Sequence, residues 1–268
     1  MQHFKGKTVI ITGSSMGIGK ATALEFCKQG AHVVLNGRNE KRLRKTLEEF
    51  LQHGYPVIAI QGDITKKTDC EKLVNDTLKK FGRIDVLINN AAMSMRENFE
   101  NLDPEVFAQL VDSNINGSAF PAWAALPEIK KTKGSIIFIS SAAGMVGLPT
   151  ASAYSVGKMG LTALAQSLKI ELSGTDVHIG IVHVGFTRND DDKMILNAKG
   201  DLIPVPKRPA WIQQSKEKVA RSVIKTVRRR KFKVTLSAIG KVNELFIRFF
   251  PTLALNIIAY SQRRIQRI

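Results

Sequence analysis

Residues 8–23 read TVIITGSSMGIGKATA, and this stretch decides how the chain folds. A β-branched apolar run, 8–12, meets glycines at 13, 17 and 19, and a helix-like segment follows directly. Glycines between a strand and a helix let the backbone approach a pyrophosphate and leave the helix N–H groups pointing at it. The spacing is G-x-x-x-G-x-G rather than G-x-G-x-x-G, and taken alone it also suits a glycine-rich turn.

Further strand-like runs follow: HVVLN (32–36), PVIAI (56–60), DVLIN (85–89), GSIIFIS (134–140) and VHIGIV (177–182). They are apolar throughout, as strands buried on both faces are. Amphipathic segments such as EKRLRKTLEEFLQH and DCEKLVNDTLKKF separate them. A strand followed by a helix, six times over, predicts an α/β fold: a Rossmann-like, doubly wound parallel sheet in three layers, α/β/α. The pattern predicts one catalytic domain over 1–236. Within it, 186–215 carries NDDDK and three prolines, and reads as a structureless substrate loop of the lid kind. KEKVARSVIKTVRRR then reads as helix and FKVTL as a last strand.

The ends of these strands hold the candidate binding residues. After the second strand, Gly37 stands where an acid would bind an adenosine ribose, and Arg38 follows, which favours a 2′-phosphate and hence NADP(H). NAD(H) stays open as the alternative. Asp63, after the third strand, suits either an adenine edge or a turn. NNAA (89–92) supplies small residues and Asn90 at the end of the fourth.

AYSVGK (153–158) places Tyr154 and Lys158 one helical turn apart. TGSSMGIG, NNAA, SNING (113–117), a serine thirteen residues before Tyr154, and Y-x-x-x-K come in the order and spacing of one family. Over roughly residues 5–236 the chain resembles the short-chain dehydrogenase/reductase family. The resemblance implies an oxidoreductase that passes a hydride between a nicotinamide coenzyme and a carbonyl or secondary alcohol. It implies Tyr154 as general acid/base, Lys158 as the residue that tunes it and binds the nicotinamide ribose, and Ser141 as hydrogen-bond partner of the substrate oxygen. Asn114 would hold a water that links Lys158 to solvent. A free phenol, near pKa ~10, is a poor base at neutral pH, and a neighbouring ammonium favours phenolate. The resemblance further implies coenzyme contacts from Gly13, Ser15, Gly17, Ile18, Gly19, Asn90 and Thr187, besides Arg38, Asp63, Tyr154 and Lys158, and no metal. Three positions depart from the family pattern: Ala92 replaces a glycine, Val184 a proline, and Met16 precedes the second glycine where NADP(H)-preferring members often carry a base. A non-catalytic nucleotide sensor or membrane scaffold is the rival reading, and the retained Asn114, Ser141, Tyr154 and Lys158 argue against it.

The chain has 268 residues, 44% hydrophobic and 24% charged, and two cysteines, Cys27 and Cys70, outside any C-x-x-C pair. That composition suits a globular protein of a reducing, cytoplasmic setting, without a disulfide framework or zinc site. KTVIITG already reads as a core strand, so no leader is expected. The net charge is +17, yet from Lys225 onward eleven Lys and Arg face the single Glu244. The basicity is thus chiefly C-terminal. Residues 237–268 form an amphipathic basic extension, with Val242, Leu245, Phe246 and Phe249 at helical spacing and Pro251 as a break. Its longest uncharged run, Phe249 to Gln262, has 14 residues, short of the ~20 a spanning helix needs. Beside Arg228–Arg230, Arg263, Arg264 and Arg267 it suits attachment to an anionic membrane surface. It resembles the apolar C-terminal extension of microsomal hydroxysteroid dehydrogenases and lipid-ketone reductases. The expected partners are a small apolar carbonyl or alcohol substrate, a membrane surface, and a second copy of the chain in a homodimer or homotetramer. No recognisable nucleic-acid module accompanies the basic cluster, so nucleic acid is not expected.

Overall fold

The structure, a computed structural model, describes residues 3–236 and 238–265. Strands and helices alternate from the start: β1 (Thr8–Ile11), α1 (Gly17–Lys28), β2 (His32–Gly37), α2 (Glu40–Gln52), β3 (Val57–Gln61), α3 (Lys67–Phe81), β4 (Val86–Asn89), α4 (Pro104–Thr132), β5 (Ser135–Ser141), α5 (Ser152–Glu171) and β6 (His178–Val184). Then come β7 (Met194–Leu196), β8 (Leu202–Pro204), α6 (Lys216–Arg228), β9 (Lys233–Thr235), α7 (Ala238–Phe249) and α8 (Pro251–Ile265). Seven strands form one parallel sheet in the order β3-β2-β1-β4-β5-β6-β9. The order reverses between β1 and β4, and a doubly wound sheet opens its ligand crevice at such a reversal.

The strands are apolar throughout because both faces are covered. Val9, Ile11, Val33, Leu35, Ile88, Ile137 and Val182 pack with α1, α2 and α6. Their neighbours Ile10, Val34, Leu87, Ile136, Phe138 and Ile181 pack with α3, α4 and α5 on the opposite side. Each such side chain contributes about 2 kcal/mol relative to exposure. That burial offsets the chain entropy and leaves the strand ends free for chemistry.

One sequence expectation needs correction. Residues 186–215 are not structureless: β7 and β8 pair antiparallel, and Leu196 bridges to Met95. Strands of three residues are too short to display alternation, and β7 is also held by hydrogen bonds between Leu196 and residues 94 and 96, about a hundred positions earlier. Pro251 does separate two helices, standing at the first position of α8, where its missing N–H costs nothing. Glu244 ties α7 to the sheet edge through Lys233, 2.5 Å away, and Thr235. The proposed boundary after residue 236 falls at Ser237, outside the described residues, as do Arg267 and the side chains of Arg263 and Arg264. No helix among the described residues is long and apolar enough to cross a membrane.

Two buried ionisable groups brace the bottom of the sheet. Asp85, its side chain 5% exposed, accepts hydrogen bonds from Arg83, Lys7 and the Thr8 N–H. Burial works against its charge, but these three donors outweigh it and hold the carboxyl below its ordinary value. His178 stands between the Ser135 hydroxyl and the Lys231 carbonyl, and burial pushes its imidazole down to about 4. Both groups bind fewer protons folded than unfolded, so both make stability fall as pH falls. His178 acts first, between its unfolded value of about 6.5 and its folded value, and Asp85 follows below about 3.9. Denaturant titrations should therefore show stability declining from pH 6.5 downward. Asp85→Asn should cost about 2–3 kcal/mol at pH 7 and flatten the decline below pH 4.

Candidate active site

The glycine loop is seated on the end of β4 by contacts that admit no side chain. Gly13 adopts φ +61°, and a Cβ there would stand 2.7 Å from the Ala91 Cα. A Cβ on Gly19 would stand 2.3 Å from the Gly13 carbonyl oxygen. Thr12 Oγ1 accepts the N–H groups of Asn90 and Ala91, and the Asn90 amide donates back to the Thr12 and Gly13 carbonyls, each near 3.0 Å. Asn90 thus braces the loop from below. Thr12, the first residue of TGSSMGIG, is its counterpart; the motif carries no role for its hydroxyl until the partner strand is in place.

This cradle fits a dinucleotide. Ser15, Met16 and Gly17 line a cleft of about 760 Å³ together with Arg42, Asp190 and Lys216. Ile18 is half-buried and packs on the core, so only its backbone can serve a ligand. Across the loop, Arg38 and Asp63 face each other at 3.8 Å in a second cleft of about 290 Å³. Asp63 also accepts from the N–H and hydroxyl of Thr65, so it serves the turn while its other oxygen faces Arg38. Thr187 Oγ1 donates to the Gly185 carbonyl, and the residues on either side of it bond to Gln214: the Gln214 N–H donates to the Phe186 carbonyl and the Arg188 N–H to the Gln214 carbonyl.

The four proposed catalytic residues converge on the ends of β4 and β5. Tyr154 and Lys158 share one face of α5, with the ammonium 5.7 Å from the ring centre. Lys158 is 3% exposed and donates to the Ile139 carbonyl at 2.9 Å. The Ser141 side chain stands close enough to the Tyr154 phenol to favour its ionised form, and its Oγ accepts from the Ala143 N–H at 3.3 Å. Asn114 donates to the carbonyls of Leu110 and Met93, at 2.7 and 3.0 Å. Its Oδ1 is buried and receives no hydrogen bond from the described residues, which fits an acceptor for a water. α4 and α5 meet here because residue 157 is glycine: a Cβ would stand 2.6 Å from the Asn114 Cβ. Gly144 does the same for the Lys158 carbonyl, with 2.8 Å available.

Burial sets the protonation of the pair. It raises the Tyr154 phenol above its ordinary value, opposed by the nearby Ser141 hydroxyl and by Arg208. It pushes Lys158 down to about 7, with Lys193 adding to the effect. The sequence reading assigns the lowering of the tyrosine to Lys158 together with the oxidised nicotinamide. In the structure Ser141 and Arg208 oppose the burial penalty on the phenol, while the lysine is itself desolvated and its ammonium donates to the Ile139 carbonyl. Arg208 and Lys193 lie in the irregular 186–215 stretch, where no pattern distinguishes them.

Comparison with known proteins follows the same lines. The short chain dehydrogenase family model matches residues 7–199. 11-beta-hydroxysteroid dehydrogenase 1A of Arabidopsis thaliana is 36% identical over 205 residues, which is 75% of this chain and 58% of that protein. 11-beta-hydroxysteroid dehydrogenase A of Sesamum indicum is 31% identical over 255 residues, 92% of this chain and 72% of that one. The chain spans only 58–62% of the length of the first curated relatives it matches. Among solved structures, a Burkholderia phymatum short chain dehydrogenase/reductase in complex with NAD superposes with TM-score 0.78 at 20% identity, covering 93% of this chain and 96% of that one. An alcohol dehydrogenase of Thermococcus sibiricus, complexed with 5-hydroxy-NADP, does so with TM-score 0.74 at 24% identity, covering 86% and 95%. These two share the fold.

The α4–α5 approach makes a sharp test. Gly157→Ala should destabilise the protein by about 1–3 kcal/mol and lower kcat about 100-fold, since Asn114 and Lys158 are pushed apart. Thermal melts and initial rates measure the two effects.

Proposed function

Because the chain belongs to the short chain dehydrogenase family, we propose that it is an NAD(P)-dependent oxidoreductase interconverting a carbonyl and a secondary alcohol. The observation that carries this reading is the buried Lys158 one helical turn from Tyr154, its ammonium 5.7 Å from the tyrosine ring centre. The coenzyme, when bound, supplies or accepts the hydride. Tyr154 holds the proton at its phenolic oxygen and gives it to the substrate oxygen as negative charge develops there. Ser141 orients that oxygen with a hydrogen bond. Lys158 resupplies the proton, and Asn114 Oδ1 holds the water that leads it to solvent. Gly13, Ser15, Gly17, Ile18, Gly19 and Asn90 would hold the dinucleotide, and Thr187 its nicotinamide end.

NADP(H) is the favoured coenzyme. Gly37 leaves no acid to repel a 2′-phosphate, and Arg38 stands next to it at the rim of the smaller cleft. The substrate is an apolar, lipid-like ketone or alcohol: Phe186, Leu202 and Trp211 are exposed on the substrate loop. α7 and α8 extend that apolar character. Val242, Leu245, Phe249, Phe250, Leu253 and Ile257 are all at least half exposed, an arrangement that suits peripheral attachment to an anionic bilayer. Trp123 on α4 and Met159 and Ile170 on α5 are also exposed and apolar, which supports a homodimer or homotetramer built on those helices.

Nicotinamide absorbance in a panel of ketones and alcohols, with both coenzymes, tests the reaction. NADPH should outperform NADH, Arg38→Ala should erase that advantage, and Tyr154→Phe should lose about 1,000-fold in kcat while still binding coenzyme. Turnover that survives Tyr154→Phe would overturn the assignment. Flotation with anionic liposomes tests the tail: the full chain should rise with the lipid at low salt, and Leu245→Glu with Phe249→Glu should leave it behind.

A further inference from the structure

The first turn of α1 has no cap of its own. Met16 precedes it and offers no side-chain hydrogen bond, whereas α2, α4 and α6 are capped by Asn39, Asp103 and Ser215. The Gly17 N–H donates instead to Asp190 Oδ2, 2.6 Å away and 173 residues further along the chain. The other oxygen of that carboxylate is paired with Lys216 at the start of α6. Two residues on, Asp192 accepts from Arg42 at 2.8 Å. The same guanidinium lies 3.3 Å from the Met16 sulfur, so it overhangs the glycine loop. Burial raises the Asp190 pKa, but Lys216 and the Gly17 N–H outweigh it and keep the carboxylate ionised.

The two carboxylates therefore engage both kinds of group that bind phosphate, a helix N-terminus and cationic side chains. The large cleft over α1 is lined by six Lys and Arg against four Asp and Glu, and two of the four are Asp190 and Asp192. Lift them away and six cations face two carboxylates, a field suited to an anion of high charge. One N–H cannot serve a carboxylate and a pyrophosphate oxygen at once.

On the basis of the NADP(H) reading, we infer that residues 190–192 are an acidic strap that competes with the coenzyme for its phosphate sites, and that Arg42 selects the coenzyme alongside Arg38. The pyrophosphate takes the place of Asp190 at Gly17, and the 2′-phosphate takes the place of Asp192 at Arg42. The strap leads directly into β7, whose Leu196 bridges to Met95 in the apolar cluster that Tyr154 joins. Coenzyme entry thus releases the segment that borders the substrate side of the site.

The test is coenzyme affinity of the full chain, read by NADPH and NADH fluorescence, with circular dichroism to verify folding. Asp190→Asn should bind both coenzymes about tenfold more tightly, because they no longer displace a charged hydrogen bond. Asp190→Ala, which cannot accept from Gly17 at all, should do the same. Asp192→Asn should tighten NADPH about threefold and leave NADH unchanged, since the pair with Arg42 is solvent-exposed. Arg42→Ala should weaken NADPH about tenfold, spare NADH, and abolish the effect of Asp192→Asn in the double variant. Wild-type NADPH binding with unchanged or weaker affinity in both Asp190 variants would overturn the strap and leave the coenzyme reading standing. Equal losses of both coenzymes in Arg42→Ala would overturn its selecting role. If neither coenzyme binds wild type or any variant, the nucleotide reading fails and the strap fails with it. Binding gained only in the Asp190 variants would support it.

Discussion

The site depends on how closely the β1–α1 loop sits on the end of β4. Thr12, Gly13, Gly19, Asn90 and Ala91 touch backbone to backbone, with Thr12 Oγ1 as the common acceptor. This contact stands where the strand order reverses, so it shapes the floor of the crevice. It also orients α1, whose N–H groups point away from the sheet and over the strand ends. A side chain at Gly13 or Gly19 would lift the loop from β4 and move the helix terminus with it. The binding surface is therefore a property of packing between two strands rather than of the loop itself.

A second close approach does the equivalent work for catalysis. Gly157 brings α5 against Asn114 of α4, and Gly144 brings the β5 end against the Lys158 carbonyl. Lys158 is then enclosed, and desolvation brings its pKa within reach of neutral pH. An enclosed lysine near its own titration point can pass a proton in either direction, and the proposed route out passes Asn114 Oδ1, which has no hydrogen-bond partner among the described residues. Enclosure also raises the tyrosine, so the two groups are linked by a common dry environment as much as by direct attraction.

The basic surplus and the apolar tail have a structural division of labour. Glu244 joins α7 to the sheet edge beside β9, while the outer faces of α7 and α8 stay apolar. An anchored helix pair with an exposed apolar face costs solubility unless something covers it. Within the substrate stretch, Asp190 meets the Gly17 N–H and Lys216, and Asp192 meets Arg42 at the rim of the glycine loop. One segment thus touches the nucleotide side at Asp190 and the substrate side at Leu196.

The alternation of apolar runs with amphipathic segments was enough to read the doubly wound sheet, because strands covered on both faces must be apolar throughout. The glycine loop was legible because its spacing is local, a turn between strand and helix. The Tyr154–Lys158 spacing of one helical turn was visible too, but by itself it suits a surface pair; the roles proposed for Tyr154, Lys158, Ser141 and Asn114 came only through family resemblance. What the tertiary structure alone decided are the contacts between segments far apart in the chain. β7 and β8 are too short to show a period, Arg208 approaches Tyr154 from fifty-four residues away, and Asp190 reaches Gly17 from 173 residues away. Periodicity encodes which face of an element is buried; it carries nothing about which distant charge arrives at an exposed end, since folding brings those groups together only after the core has formed.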